Sequence, residues 1–105
     1  MRPVKRKGVM NKTEAAYAAR LELLKLGGEI IHWEYEGVTF KLADRTTYTP
    51  DFFVVCRDRF EFHEVKGRLL ADGSTKFKVA AEMHPWFKWY MVRKAGAAWK
   101  IIKEV

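Results

Sequence analysis

Between Asn11 and Leu26 the apolar residues recur at helical spacing. Tyr17, Leu21 and Leu24 fall on one side of a helix. Asn11 is a good N-cap, Glu14 three residues later completes a capping-box pattern, and Gly27-Gly28 ends the segment. Glu14 also lies three residues before Tyr17, in line with the stripe. It is either a capping residue or part of an inward-facing site, and the two roles do not exclude each other. From Glu29 the pattern turns to strand. Ile30 to Tyr35, Val38 to Leu42, Thr49 to Cys56 and Phe60 to Lys66 are rich in aromatic and β-branched residues. Glu36-Gly37 reads as a tight turn between the first two, and Arg57-Asp58-Arg59 as a turn between the last two, which makes a meander of hairpins. Gly67 to Gly73 reads as a loop. A second helix is expected from about Ser74 to His84, with Val79, Ala80 and Met83 on its apolar side and Pro85 as its stop. Lys88 to Arg93 and Trp99 to Lys103 read as two final strands, split by Ala95-Gly96-Ala97. The order helix, four strands, helix, two strands predicts one α/β domain, a mixed β-sheet flanked by two helices.

Two of these strands carry charge where a buried strand should be apolar. Pro50-Asp51 opens one, and Glu64 and Lys66 close the next. Strand side chains alternate, so Glu64 and Lys66 share one face while Val65 takes the other. Pro50 cannot donate to a ladder, which places it at a strand start or a bulge. Carboxylates and an ammonium at the ends of neighbouring hydrophobic strands are costly unless they pair or hold a metal. An ion pair of Asp51 or Glu64 with Lys66 at a sheet end is the structural reading. A divalent cation is the chemical one, since it relieves acid–acid repulsion and activates water against a phosphodiester.

The bulk numbers fit that chemistry. A chain of 105 residues is one domain, and 49% hydrophobic content allows a real core. Its net charge of +7 points to a polyanionic partner, most often nucleic acid. Met1 to Met10 holds Arg2, Lys5, Arg6 and Lys7 and no acid, and reads as a flexible basic arm that tracks phosphates or as a solvated terminus. The single folded domain then runs from 11 to 105. The single cysteine, Cys56, makes no internal disulfide, so a reducing cytoplasm is the expected location. No apolar run has the length of a membrane span, and the N-terminus lacks the apolar core of a signal peptide.

Pro50-Asp51, twelve intervening residues, then Glu64-Val65-Lys66 resembles the PD-(D/E)XK nuclease superfamily. Glu14 on the first helix matches the additional acid that many members carry there, and the element order resembles that superfamily's core from Asn11 onward. The resemblance implies a restriction-endonuclease-like core. By resemblance, Asp51 and Glu64 are metal ligands, the Val65 carbonyl a further one, and Glu14 completes the metal shell or binds a second ion. Oxygen ligands select Mg²⁺, with Mn²⁺ as a substitute, over Zn²⁺. Lys66 would orient the attacking water or hold charge on the phosphate. Small size and basic character resemble the dimeric Holliday junction resolvases of archaea and bacteriophages. That implies a homodimer acting on branched DNA, the four-way junction, with paired symmetric nicks. No appended DNA-reading domain is present, which argues against a sequence-specific restriction enzyme.

The remaining residues have two readings each. Lys76 and Lys78 on the second helix clamp the phosphate backbone or form an ordinary solvated face. His32, His63 and His84 have no metal-ligand spacing with Cys56, so a zinc site is not expected; His63 points away from Glu64. Trp86, Phe87, Trp89 and Tyr90 fill a core, form a subunit interface, or stack unpaired bases. Three functions therefore compete: a metal-dependent structure-selective endonuclease, a nicking or exonuclease-like relative without branch preference, and a non-catalytic nucleic-acid-binding module.

Overall fold

Asn11 starts the first helix by a reciprocal pair of bonds. Its Oδ1 accepts the Glu14 N–H at 2.8 Å, and Glu14 Oε1 accepts the Asn11 N–H at 3.0 Å. The computed structural model describes residues 8–67 and 75–105. In it, α1 spans Lys12–Leu26, with Gly27 as C-cap and Gly28 at a φ of 80° just beyond. Next come β1 (His32–Tyr35), β2 (Phe40–Ala43), β3 (Thr46–Tyr48), β4 (Phe52–Val55) and β5 (Phe60–Lys66). Then follow α2 (Thr75–Met83), β6 (Lys88–Ala95) and β7 (Ala98–Glu104). The fold is α/β with a mixed sheet and two helices. Among the described residues, no helix is long and apolar enough to cross a membrane.

Five strands form one sheet in the order β1-β4-β5-β6-β7. β5 and β6 run parallel, which requires a crossover, and α2 lies within it. The other neighbours are antiparallel. Alternation along the strands divides the core into two layers. On one face Tyr17, Ala18 and Leu21 of α1 pack against Phe52, Val54, Val65 and Val92. On the other, Phe77, Ala80 and Ala81 of α2 pack with Phe40, Phe62, Trp89 and Met91. The aromatic run after α2 thus divides: Trp89 is fully buried, whereas Trp86 is 69% exposed.

Three sequence expectations need correction. β1 does not pair with β2. The chain leaves the sheet at Glu36, whose φ is 52°, and the Glu36 N–H bonds the Asp51 carbonyl at 2.8 Å. That bond extends the β1–β4 pairing, so Glu36-Gly37 is an exit from the sheet and not a hairpin turn. Second, the strand expected over Thr49 to Cys56 begins only at Phe52, and a separate strand, β3, precedes it. β2 and β3 form their own two-stranded sheet, so five strands separate the helices rather than four. Third, Val79 and Met83 of α2 are exposed, and Phe77 takes the buried place beside Ala80 and Ala81. The large aromatic anchors the helix, and residues three and four positions on share its face. Arg2, Lys5, Arg6 and Lys7, the loop beyond Gly67 and Ser74 lie outside the described residues.

A polar chain crosses the α1 layer. Tyr17 Oη lies 2.6 Å from His63 Nδ1, and His63 Nε2 lies 2.9 Å from Glu61 Oε1. Arg59 Nε donates to Glu61 Oε2 at 2.6 Å. Burial raises the Tyr17 hydroxyl above the ordinary phenol range, so it donates to Nδ1 and leaves Nε2–H to donate to Glu61. Burial alone would raise Glu61, but hydrogen bonds from His63 and Arg59 outweigh it and hold the carboxyl at about 2. No buried side-chain nitrogen or oxygen among the described residues lacks a partner.

Two outcomes follow. Leu21 is wholly buried, and Leu21→Ala should destabilise the protein by about 3 kcal/mol in urea unfolding. Glu61 has a lowered folded-state pKa, so its contribution is full above about 4.5 and fades as pH falls toward about 2. Melting temperature should drop across that window more steeply in wild type than in Glu61→Gln. Parallel curves would show that Glu61 adds no pH-linked stability.

Candidate active site

The register of β4 against β5 builds the site. Phe52 sits opposite His63, so the next pair outward is Asp51 with Glu64. Pro50, fully buried, ends the irregular segment before β4 and sets the direction in which Asp51 enters it. Asp51 Oδ2 accepts the Val65 N–H at 2.8 Å and is 7% exposed. The Asp51 N–H in turn donates to the Glu64 carboxylate. Side chain of one strand and backbone of the other are thus bonded in both directions.

Glu64 turns to the α2 side of the sheet, where the β2–β3 hairpin lies over it. Tyr48 Oη donates to Glu64 Oε1 at 2.6 Å, and Lys66 Nζ lies 3.5 Å from Glu64 Oε2. Burial raises the Glu64 carboxyl above its ordinary value; the Tyr48 hydroxyl, Lys66 and the Asp51 N–H oppose that shift without cancelling it. Burial, then the charge of Glu64, push the Tyr48 phenol far up, so it remains a donor at any pH at which the fold persists. Tyr48 itself is anchored through its neighbour: Lys76 Nζ donates to the Thr47 carbonyl at 2.9 Å, tying α2 to the hairpin.

The sequence-derived residues are distributed as follows. Asp51, Glu64, Val65 and Lys66 come together at the end of β5. Glu14 is buried, 4% exposed, on the α1 side, where its Oε1 accepts from both Asn11 and Tyr35 Oη, the latter at 3.0 Å. It is a capping residue and an inward-facing acid at once. Among the described residues, no group of three or more histidine, cysteine or acidic side chains is gathered for one metal ion. Lys76 and Lys78 are both on the exposed face of α2, and Lys76 carries the structural bond to Thr47. His63 takes the α1 face, away from Glu64. Tyr48 is the site residue that sequence reasoning missed. Thr46-Thr47-Tyr48 carries a strand signal, but nothing local ties that strand to Glu64.

The donor set fits a small hard cation. Asp51 and Glu64 supply carboxylate oxygens and Val65 a carbonyl, and Mg²⁺ takes one or two carboxylates and keeps several waters. A buried carboxylate with incomplete compensation is also the group that a cation stabilises most. No family model, no curated protein and no solved structure matches this chain.

Glu64 is raised in the folded state, so its ionised form opposes folding, and stability is gained as pH falls through the raised value. Glu64→Gln keeps the acceptor for Tyr48 and removes the buried charge. Without divalent cations it should melt higher than wild type at neutral pH. Millimolar Mg²⁺ should raise the melting temperature of wild type and leave that of Glu64→Gln in place. Equal Mg²⁺ shifts in both proteins would remove Glu64 from the metal site.

Proposed function

We propose that this protein is a metal-dependent, structure-selective DNA endonuclease with a restriction-endonuclease-like core, acting as a homodimeric Holliday junction resolvase. The observation that carries the reading is the bonded set Asp51–Glu64–Lys66 at the ends of two paired hydrophobic strands, with Glu64 half-buried and incompletely compensated. It agrees with the resemblance of Pro50-Asp51 and Glu64-Val65-Lys66 to the PD-(D/E)XK nucleases and with the net charge of +7.

Asp51, Glu64 and the Val65 carbonyl would hold Mg²⁺, which when bound supplies charge neutralisation and a water of lowered pKa. The rest falls to the chain's own groups. Tyr48 and the Asp51 N–H fix the Glu64 carboxylate in one orientation. Lys66, on the same strand face two residues on, holds negative charge as it grows on the scissile phosphate. Lys76 and Lys78, with the basic residues Arg2, Lys5, Arg6 and Lys7, supply phosphate binding without base selectivity. A four-way junction has approximate two-fold symmetry, and two copies of so small a domain supply two symmetric nicks and a wide basic face.

The test is cleavage of an end-labelled four-way junction beside the matching linear duplex. Paired symmetric nicks should appear only in the junction, and only with Mg²⁺ or Mn²⁺. Glu64→Ala and Asp51→Asn should abolish cutting while DNA binding persists, and Tyr48→Phe should slow it roughly 10–100-fold as the loss of an orienting partner. Equal cutting of both DNAs would make the protein a nuclease without branch preference. Binding of both without cutting, unrescued by Mn²⁺, would make it a non-catalytic binding module.

A further inference from the structure

Cations stand side by side at the end of the sheet that carries Glu64. Lys66 of β5 lies opposite Arg93 of β6, and Arg93 lies opposite Lys100 of β7. The preceding residues settle the face. Val65, Val92 and Trp99 pack in the α1 layer, so the residue after each turns to the α2 side, where Glu64 emerges. The row crosses two strand spacings, about 10 Å. The next pair outward is Ala95 with Ala98, both exposed and too short to cover it.

Like charges directly opposite one another weaken a sheet. Lys66 is offset by Glu64 at 3.5 Å. The other two are not: no ion pair among the described residues uses Arg93 or Lys100. The same two strands do match a cation elsewhere, since Lys88 Nζ lies 3.4 Å from Glu104 Oε2. A lysine on an edge strand blunts unwanted pairing, which accounts for Lys100. It does not account for Arg93, half-buried on an interior strand. A row of cations that the fold leaves uncompensated suits an external anion with repeated charges. One strand of duplex DNA advances about 3.4 Å per phosphate, so a row of about 10 Å spans about three of them.

We propose that Lys66, Arg93 and Lys100 form a track for the backbone of duplex DNA. The scissile phosphate lies at Lys66, and the next phosphates of the same strand lie at Arg93 and Lys100. The position of the scissile phosphate rests on the nuclease reading, whereas the track is read by binding alone. The track meets phosphates and not base edges, so it adds affinity without sequence preference. It also gives the strand a direction across the sheet, from the Asp51–Glu64 site toward the β7 edge.

The test is binding of a fluorescently labelled four-way junction and its matching linear duplex by the full chain, followed by anisotropy without divalent cations, at salt from about 50 to 200 mM. Arg93→Gln/Lys100→Gln should weaken binding at least roughly tenfold at the lowest salt. It should also lower the slope of log affinity against log salt by about 1.8, two phosphate contacts at about 0.9 each. Arg93→Lys/Lys100→Arg keeps both charges and should bind as wild type does. Lys25→Ala/Arg57→Ala removes the same charge at the other end of the sheet, in the last turn of α1 and in the turn before β5, and should keep the wild-type slope. Relief of the Arg93–Lys100 repulsion should leave the glutamine variant melting no lower than wild type at low salt, which separates lost contacts from a lost fold. Equal slopes for the glutamine variant and wild type, equal loss in the Lys25/Arg57 variant, or no binding of either DNA by wild type would overturn the track. With Mg²⁺ added, cutting by wild type beside an unchanged slope in the glutamine variant removes the track and keeps the nuclease reading. A lowered slope with no cutting keeps the track and removes the scissile phosphate from Lys66.

Discussion

Everything in this molecule hangs on the register between β4 and β5. With Phe52 opposite His63, the outward pair is Asp51 and Glu64, and Glu64, Lys66 and Phe62 turn to the α2 face. A slip of one residue would send Glu64 and Lys66 into the α1 layer and bring His63 and Val65 out of it. Tyr17 and the apolar residues of that layer could not accept the exchange. The hydrophobic layers thus fix the position of the polar site, although neither layer contains it. The Asp51 to Val65 bond then locks the same register from the polar side.

The two faces of the sheet are built differently. The α1 face has one helix, a bonded polar chain and an open cleft. The α2 face is shared by a helix and the β2–β3 hairpin, which leave the sheet covered where Glu64 emerges. The hairpin therefore belongs to the site. It shields Glu64 from much of the solvent, and it supplies the Tyr48 hydroxyl that partly offsets that shielding. Lys76 holds hairpin and helix together, so this exposed cation is also a strut.

What was legible in the sequence was what local pattern dictates. The capping box at Asn11 and Glu14, the stop at Gly27-Gly28, and the charged ends of two apolar strands all have short-range physical causes, and all stand in the structure. The errors arose where tertiary pairing overrode proximity. Glu36-Gly37 looks like a hairpin turn, but β1 finds its partner in β4 because Phe52 and Val54 complete the layer under α1. Phe77 was overlooked beside Val79 and Met83, yet it alone reaches the depth of Trp89. Tyr48 could not be assigned, since its bond to Glu64 joins two sheets that no local signal connects.

Two carboxylates on β5, three residues apart, show why the Asp51–Glu64 set calls for more than an ion pair. Glu61 is matched: Arg59 and His63 bond both its oxygens at 2.6 and 2.9 Å, and its carboxyl is held at about 2. That is how this fold treats an acid whose role is structural. Glu64, on the same strand, has bonds only from neutral donors, the Tyr48 phenol and the Asp51 N–H, and its cation stands off at 3.5 Å, beyond the range of a strong charge-assisted hydrogen bond. Burial wins, and its carboxyl rises. A sequence selected for stability alone would close the gap with an arginine or discharge the position as glutamine. Leaving it open costs folding free energy and preserves a charge that a divalent cation would satisfy, and that deficit is the physical ground for the proposed chemistry.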